Sequence, residues 1–136
     1  MNPVDIEQLD ELQANWNYPA PVRFGAGRIK ELPGICKELD MKCPLLVTDQ
    51  RLKDLDFVQS MLTDNDDAGI PTGLFSDIKP NPTGKNVEDG VSAFKQGSHD
   101  GVIAVGGGSA LDAAKAIALM IDQEHTLWDF EDIGDN

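Results

Sequence analysis

Histidine, cysteine and basic residues are all scarce in this 136-residue chain: two histidines, two cysteines, and 11 lysines and arginines against 24 aspartates and glutamates. His99 and His125 stand apart from each other and from any Glu-x-x-His or Cys-x-x-Cys spacing. Neither reads as a metal ligand, and no Ser-His-Asp or Cys-His arrangement can be built from so few histidines. Surface or core packing roles are expected for both. Cys36 and Cys43 could pair, but two cysteines without secretory context read better as reduced thiols. The formal net charge of −13 argues against nucleic acid and anionic membrane surfaces as partners, because both would be repelled. No apolar run approaches the length of a bilayer span. Met1–Asp5 lacks the basic start and apolar stretch of a secretory leader, so the cytoplasm is the expected compartment. An anion bound by such a chain has to be held by local groups, backbone N–H groups above all.

The length suits one domain with a real core, and 40% hydrophobic with 26% charged residues is ordinary for a globular chain. Ile6, Leu9 and Leu12 recur at helical spacing and predict a helix over 4–15. Val22-Arg23-Phe24 predicts a short strand stopped by Gly25-Ala26-Gly27. Ile29, Leu32, Ile35 and Leu39 mark one face of a helix that tolerates Pro33 only near its first turn. Leu45-Leu46-Val47-Thr48 reads as a buried parallel strand ending at Asp49. Phe57, Val58, Met61 and Leu62 predict a helix, Thr72 to Phe75 a weaker strand, and 77–84 a loop. Val87, Val91 and Phe94 predict a helix closed by Gly97. Val102 to Val105 predicts a last strand, leading into a helix over 109–121 that is apolar almost all round and expects cover on more than one side. Strands near 45, 72 and 102, each followed by a helix, imply an α/β fold with a parallel sheet and helices on its faces. Residues 1–136 are therefore read as one α/β domain, with 1–20 as an N-terminal extension and 122–136 as an acidic tail.

The most informative stretch is 102–115, where a β-branched run stops at Gly106-Gly107-Gly108 and an alanine-rich helix begins at once. Residues without Cβ let a diphosphate approach the backbone and permit positive φ. The helix points unpaired N–H groups and its positive dipole end at the same spot. Such a turn is an anion site of the kind nucleotide cofactors use. A tight turn without a ligand needs only one glycine, so three in a row favour the ligand.

Other candidates keep two readings. Ser109 and Asp112 match a capping box, and the Ser109 hydroxyl and amide could also donate to phosphate. Asp112 and Lys115 could form a surface pair or face a ligand near the polar end of the helix. Asp49 ends a strand, where open parallel sheets bind ligands; it could accept from ribose hydroxyls and favour NAD over NADP, or serve only as a turn residue before Gln50. The acid precedes the glycines and no Gly-x-Gly-x-x-Gly occurs, so this is not the usual Rossmann fingerprint. In Lys79-Pro80-Asn81-Pro82-Thr83 the prolines stiffen the loop, which favours Asn81 presenting its amide to a ligand, while Thr83 can cap the next helix.

Together these motifs resemble the iron-containing (group III, metal-dependent) alcohol dehydrogenases. Phe24-Gly25-Ala26-Gly27 is similar to the family's first turn, Val47-Thr48-Asp49 to its second-strand acid and Pro80-Asn81-Pro82-Thr83 to its cofactor loop. Gly106-Gly107-Gly108-Ser109-x-x-Asp112-x-x-Lys115 resembles its diphosphate signature, and Leu127-Trp128-Asp129-Phe130-Glu131 the aromatic-acidic segment after it. The resemblance runs from Tyr18 onward. It implies a Rossmann-like, dehydroquinate-synthase-like sheet and NAD(P)-linked interconversion of alcohols with aldehydes or ketones. It also implies iron or zinc in the full-length enzyme, a small-molecule alcohol or aldehyde as substrate, and leaves homo-oligomerisation open. By the same resemblance Asp49 would bind the adenine ribose and Asn81 the cofactor's central portion, with Thr83 in the same loop. Gly106, Gly107, Gly108 and Ser109 would hold the diphosphate, with Asp112 supporting them. The family continues into a threonine-rich loop and a helical C-terminal domain carrying the metal ligands. This chain is therefore expected to be a cofactor-binding part, incomplete and inactive alone, with neither catalytic nor metal residues. The alternatives are a stand-alone nucleotide-binding module and a fragment of a glycerol dehydrogenase or dehydroquinate synthase relative.

Overall fold

The computed structural model describes residues 13–17 and 20–130. Strand β1 (Gln13–Asn17) pairs antiparallel with β2 (Pro21–Gly25), a hairpin that stands apart from the main sheet. The helix expected over 4–15 is corrected at residues 13–15, which are strand; its remainder lies outside the described residues. Pairing with residues 23–25 outweighs the local helical spacing there. Arg28 fastens the hairpin to the adjoining turn, donating to the Ala14 carbonyl (2.9 Å) and to Glu31. With Arg23 it holds the Glu31 carboxyl below the ordinary carboxylate range, the hydrogen bond from Arg28 contributing most.

A 3-10 turn (Arg28–Glu31) leads into α1 (Leu32–Glu38), with Pro33 in the first turn, where its missing N–H costs nothing. Then β3 (Leu45–Val47), α2 (Asp56–Asp67), β4 (Gly73–Phe75), α3 (Gly84–Gln96), β5 (Val102–Ala104) and α4 (Gly108–Met120) come in the order read from the sequence. The three strands form a parallel sheet in the order β4-β3-β5. Central β3 is buried on both faces, as its unbroken apolar run requires. Its residues alternate between two cores. Leu46 meets Cys36, Val58, Met61 and Ile70 under α1 and α2, while Leu45 and Val47 meet Val87, Phe94, Ala114 and Ile117 under α3 and α4. Burial pushes the Cys36 thiol up from its ordinary range, and both cysteines are free.

This topology decides where a ligand can sit. The chain leaves β3 toward β4 on one side, then crosses back to place β5 on the other. Handed crossovers put α2 and α3 on opposite faces, so the sheet opens beside the carboxyl end of β3, the switch point at which such folds bind ligands.

Helix α4 departs from its expectation. Ala110, Ala113, Ala114 and Ile117 are buried along one face, whereas Leu111 and Leu119 are exposed, so its cover is one-sided among the described residues. Gly97 ends α3 with ordinary negative φ, and the left-handed residue is Ser98. Of the 122–136 tail, residues 122–130 are described, and a 3-10 turn (Leu127–Phe130) sets Trp128 against Gly84. No helix among the described residues is long and apolar enough to cross a membrane.

Candidate functional site

A cleft of about 290 Å³ lies at the carboxyl edge of the sheet. Asp49, Gln50 and Arg51 line it from the segment after β3, Asp77 to Pro80 from the segment after β4, and Ser109 from the first turn of α4. Each wall is a strand exit, which is why residues far apart in the chain converge here.

The glycine turn supplies the donors. Helix α4 starts at Gly108 with Gly107 as its cap residue and has no side-chain cap. The first intrahelical bond runs from the Leu111 N–H to the Gly107 carbonyl (3.1 Å), so the N–H groups of Gly108, Ser109 and Ala110 have no acceptor among the described residues. The three glycines differ in what they require. Gly106 has φ +137°, and a Cβ there would lie 3.0 Å from Ala110 Cβ and 3.2 Å from Leu52 Cδ1. The fold itself needs that glycine. Around Gly107 and Gly108 a Cβ would meet nothing within 4 Å, so the protein leaves that space to something else.

Asp49 faces the turn, and its side chain is 16% exposed. Its Oδ1 accepts the N–H groups of Arg51 (2.8 Å) and Leu52 (3.1 Å), the turn role. Its Oδ2 accepts nothing among the described residues and lies 3.9 Å from where a Gly106 Cβ would be. One oxygen shapes the loop while the other is free toward the glycines.

Ser109 corrects the capping expectation. Because the helix starts one residue earlier, Ser109 is inside its first turn rather than at the cap, and its hydroxyl donates to the Pro80 carbonyl at 2.6 Å. The expected partner, Asp112, is exposed and makes no hydrogen bond among the described residues, and its surface pair with Lys115 does not form. The capping box sits instead on α3. Thr83 is its cap residue, and Asn86 Oδ1 accepts the Thr83 N–H (2.9 Å) while Asn86 Nδ2 donates to the Asp77 carbonyl (2.9 Å). Asn81 is exposed, one position beyond Pro80 at the cleft wall.

Gln50, Arg51, Asp77 and Lys79 are cleft residues that the motifs in the sequence do not single out. Their signal is position, since all lie just past the carboxyl ends of β3 and β4. Arg51 and Lys79 offset the two carboxylates, so the cleft is locally balanced on a chain of net charge −13. Gln50 Nε2 donates to Asp77 Oδ1 (3.0 Å), joining two walls. His99 packs at the other end of the sheet with Nδ1 2.9 Å from the Cys43 carbonyl oxygen, and exposed His125 lies 4.0 Å from Asp129. Among the described residues no group of three or more His, Cys, Asp or Glu could hold a metal ion.

The chain is an α/β domain whose parallel sheet carries, at its switch point, a glycine turn and helical amides with no acceptor among the described residues, an arrangement suited to an anion. The sequence model of the iron-containing alcohol dehydrogenase family matches residues 19–136, and the chain belongs to that family. It is 35% identical over 132 residues to the 1,3-propanediol dehydrogenase of Citrobacter freundii, covering 96% of this chain and 33% of that protein. It is 30% identical over 119 residues to the NAD-dependent methanol dehydrogenase of Bacillus methanolicus, covering 88% and 31%. The crystal structure of sulfoacetaldehyde reductase from Bifidobacterium kashiwanohense in complex with NAD+ superposes with a TM-score of 0.74 at 28% identity, covering 82% of this chain and 29% of that one. The chain thus spans about a third of the length of the curated relatives it matches.

Proposed function

We propose that this chain is the NAD-binding part of a metal-dependent alcohol dehydrogenase. The observation that carries the reading is the set of three N–H groups at Gly108, Ser109 and Ala110 that have no acceptor among the described residues, bordered by open space at Gly107 and Gly108. Those amides and the helix dipole suit the paired phosphoryl oxygens of a dinucleotide. Asp49 Oδ2 then accepts from a ribose hydroxyl and repels a 2′-phosphate, which favours NAD over NADP. Asn81 and Thr83 lie along the adjoining loop, toward the cofactor's central portion. Asp112 has no contact that supports a direct role. Two free thiols suit the cytoplasm.

Bound NAD supplies the hydride acceptor for an alcohol, and these residues hold its diphosphate and ribose in place. The cleft residues suit a nucleotide, and among the described residues no cluster of His, Cys, Asp or Glu suits iron or zinc, so no step is assigned to a metal here. On this reading the chain by itself binds cofactor and does not turn over substrate. Calorimetric titration with NAD and NADP tests it. Saturable NAD binding, weaker for NADP, is expected; binding of neither removes the cofactor reading.

A further inference from the structure

The loop 77–83 is tied down on three sides. Gln50 Nε2 reaches Asp77 Oδ1 from the β3 side at 3.0 Å, Asn86 Nδ2 takes the Asp77 carbonyl from within α3 at 2.9 Å, and the Ser109 hydroxyl takes the Pro80 carbonyl from α4 at 2.6 Å. The last tie is the shortest and joins positions 29 apart in sequence. Pro80 and Pro82 fix φ on either side of Asn81, so one anchored carbonyl sets the direction of the whole turn.

A serine hydroxyl has a single proton. Here it is committed to Pro80, and what remains on Oγ are lone pairs, which cannot bond the oxygens of a diphosphate. The Ser109 backbone N–H, by contrast, has no acceptor among the described residues and faces the same turn as Gly107 and Gly108. The two donors of one residue are therefore divided between two tasks.

We propose that Ser109 is a positioning residue. Its amide serves the diphosphate, and its hydroxyl holds the 79–83 loop in a ligand-ready shape against the turn. The inference rests on the cofactor reading above and deepens it, because it assigns the hydroxyl to the loop that flanks the nucleoside rather than to the phosphates. Holding the loop before the ligand arrives lowers the ordering cost of binding. The ligand parts then separate: diphosphate affinity depends on backbone amides alone, whereas affinity for the whole dinucleotide also depends on the hydroxyl.

The experiment compares the wild-type chain with Ser109→Ala and Ser109→Thr. Amide hydrogen exchange over 77–84 is measured without ligand, and titrations with NAD and with inorganic pyrophosphate are then run. Expected for Ser109→Ala are faster exchange in the loop, NAD affinity lower by roughly three- to tenfold, the range one net hydrogen bond supports, and pyrophosphate affinity within about twofold of wild type. Ser109→Thr, which keeps the hydroxyl, restores exchange and NAD affinity. Equal losses for NAD and pyrophosphate would overturn the proposal in favour of a hydroxyl that contacts phosphate directly. Unchanged loop exchange in Ser109→Ala would also overturn it. A wild-type chain that binds neither probe removes the cofactor reading and the purpose of the tie together, a result distinct from either of those.

Discussion

The two ends of the parallel sheet use the same residue types for opposite purposes. At the amino end, glycines stand where the protein has no room. A Cβ on Gly73 or Gly97 would lie 2.4 or 2.2 Å from the His99 ring, and one on Gly101 2.3 Å from Met41 Sδ. At the carboxyl end, Gly107 and Gly108 border open space. The aspartates differ in the same way. Asp100 uses both oxygens, accepting the Lys42 N–H on Oδ2 (2.7 Å) and the Cys43 N–H on Oδ1 (2.9 Å). Asp49 takes two N–H groups on Oδ1 alone, and its Oδ2 accepts nothing among the described residues. Among the described residues the amino end leaves the buried Asn65 Oδ1 without a partner, whereas the carboxyl end gathers unpaired donors and an acceptor around an open cleft. Function is read from that incompleteness, since buried or cleft-facing polar groups are normally satisfied.

The sharpest way to break the comparison is to fill the open end. Gly107 has φ −82°, which any residue adopts, so Gly107→Val should fold with stability within about 0.5 kcal/mol of wild type. It should weaken NAD binding by roughly a hundredfold or more, the equivalent of two hydrogen bonds to a charged group. Thermal unfolding and calorimetry measure the two halves; a normal NAD affinity would sink the diphosphate assignment. Filling the closed end should do the reverse. Gly97→Ala drives a methyl into the His99 ring and should cost about 1–3 kcal/mol of unfolding free energy, the usual range for overpacking, with NAD affinity unchanged. Urea titration of the same pair completes the contrast.

The sequence shows three consecutive glycines but not which of them packing demands, because that depends on Leu52 and Ala110 arriving beside Gly106. The elements from β3 to α4 are legible because each carries its own apolar period, buried against a partner of matching period. The 13–15 segment is not, since its structure comes from residues 23–25 across the hairpin. The Ser-x-x-Asp pattern at 109–112 misleads for a related reason. Capping depends on where the helix starts, which is one residue earlier, and the hydroxyl finds its acceptor 29 residues away. Thr83-x-x-Asn86 carries the same signal with an amide in place of the acid, and there the box is real. Asp49 keeps two readings in the sequence, and its geometry accommodates both at once.

Asp49→Asn sharpens the comparison at a single oxygen. The amide retains an oxygen for the Arg51 and Leu52 N–H groups, so stability should hold, while the free acceptor becomes a donor and the charge is lost. NAD affinity should fall by roughly three- to tenfold, and NADP should approach it as the repulsion of a 2′-phosphate disappears. Titration of both cofactors reads the ratio. A variant with the wild-type preference would place the ribose elsewhere.

The smallest effect is expected from the matching change at the closed end, Asp100→Asn. Burial opposes ionisation of Asp100, but the Lys42 and Cys43 N–H groups outweigh it and leave the carboxyl below its ordinary value of 3.8. A depressed folded pKa means that the stabilisation is complete above the ordinary carboxylate range and is lost as pH falls through the folded value. Because the residue is exposed, solvent screening limits it to less than about 1 kcal/mol. Denaturant titrations from neutral to strongly acidic pH should therefore show Asp100→Asn less stable at neutrality, with the gap closing in acid. A gap that stays constant with pH would mean that Asp100 holds the 42–43 turn by shape alone. The two ends of the sheet would then differ in packing but not in how they use charge.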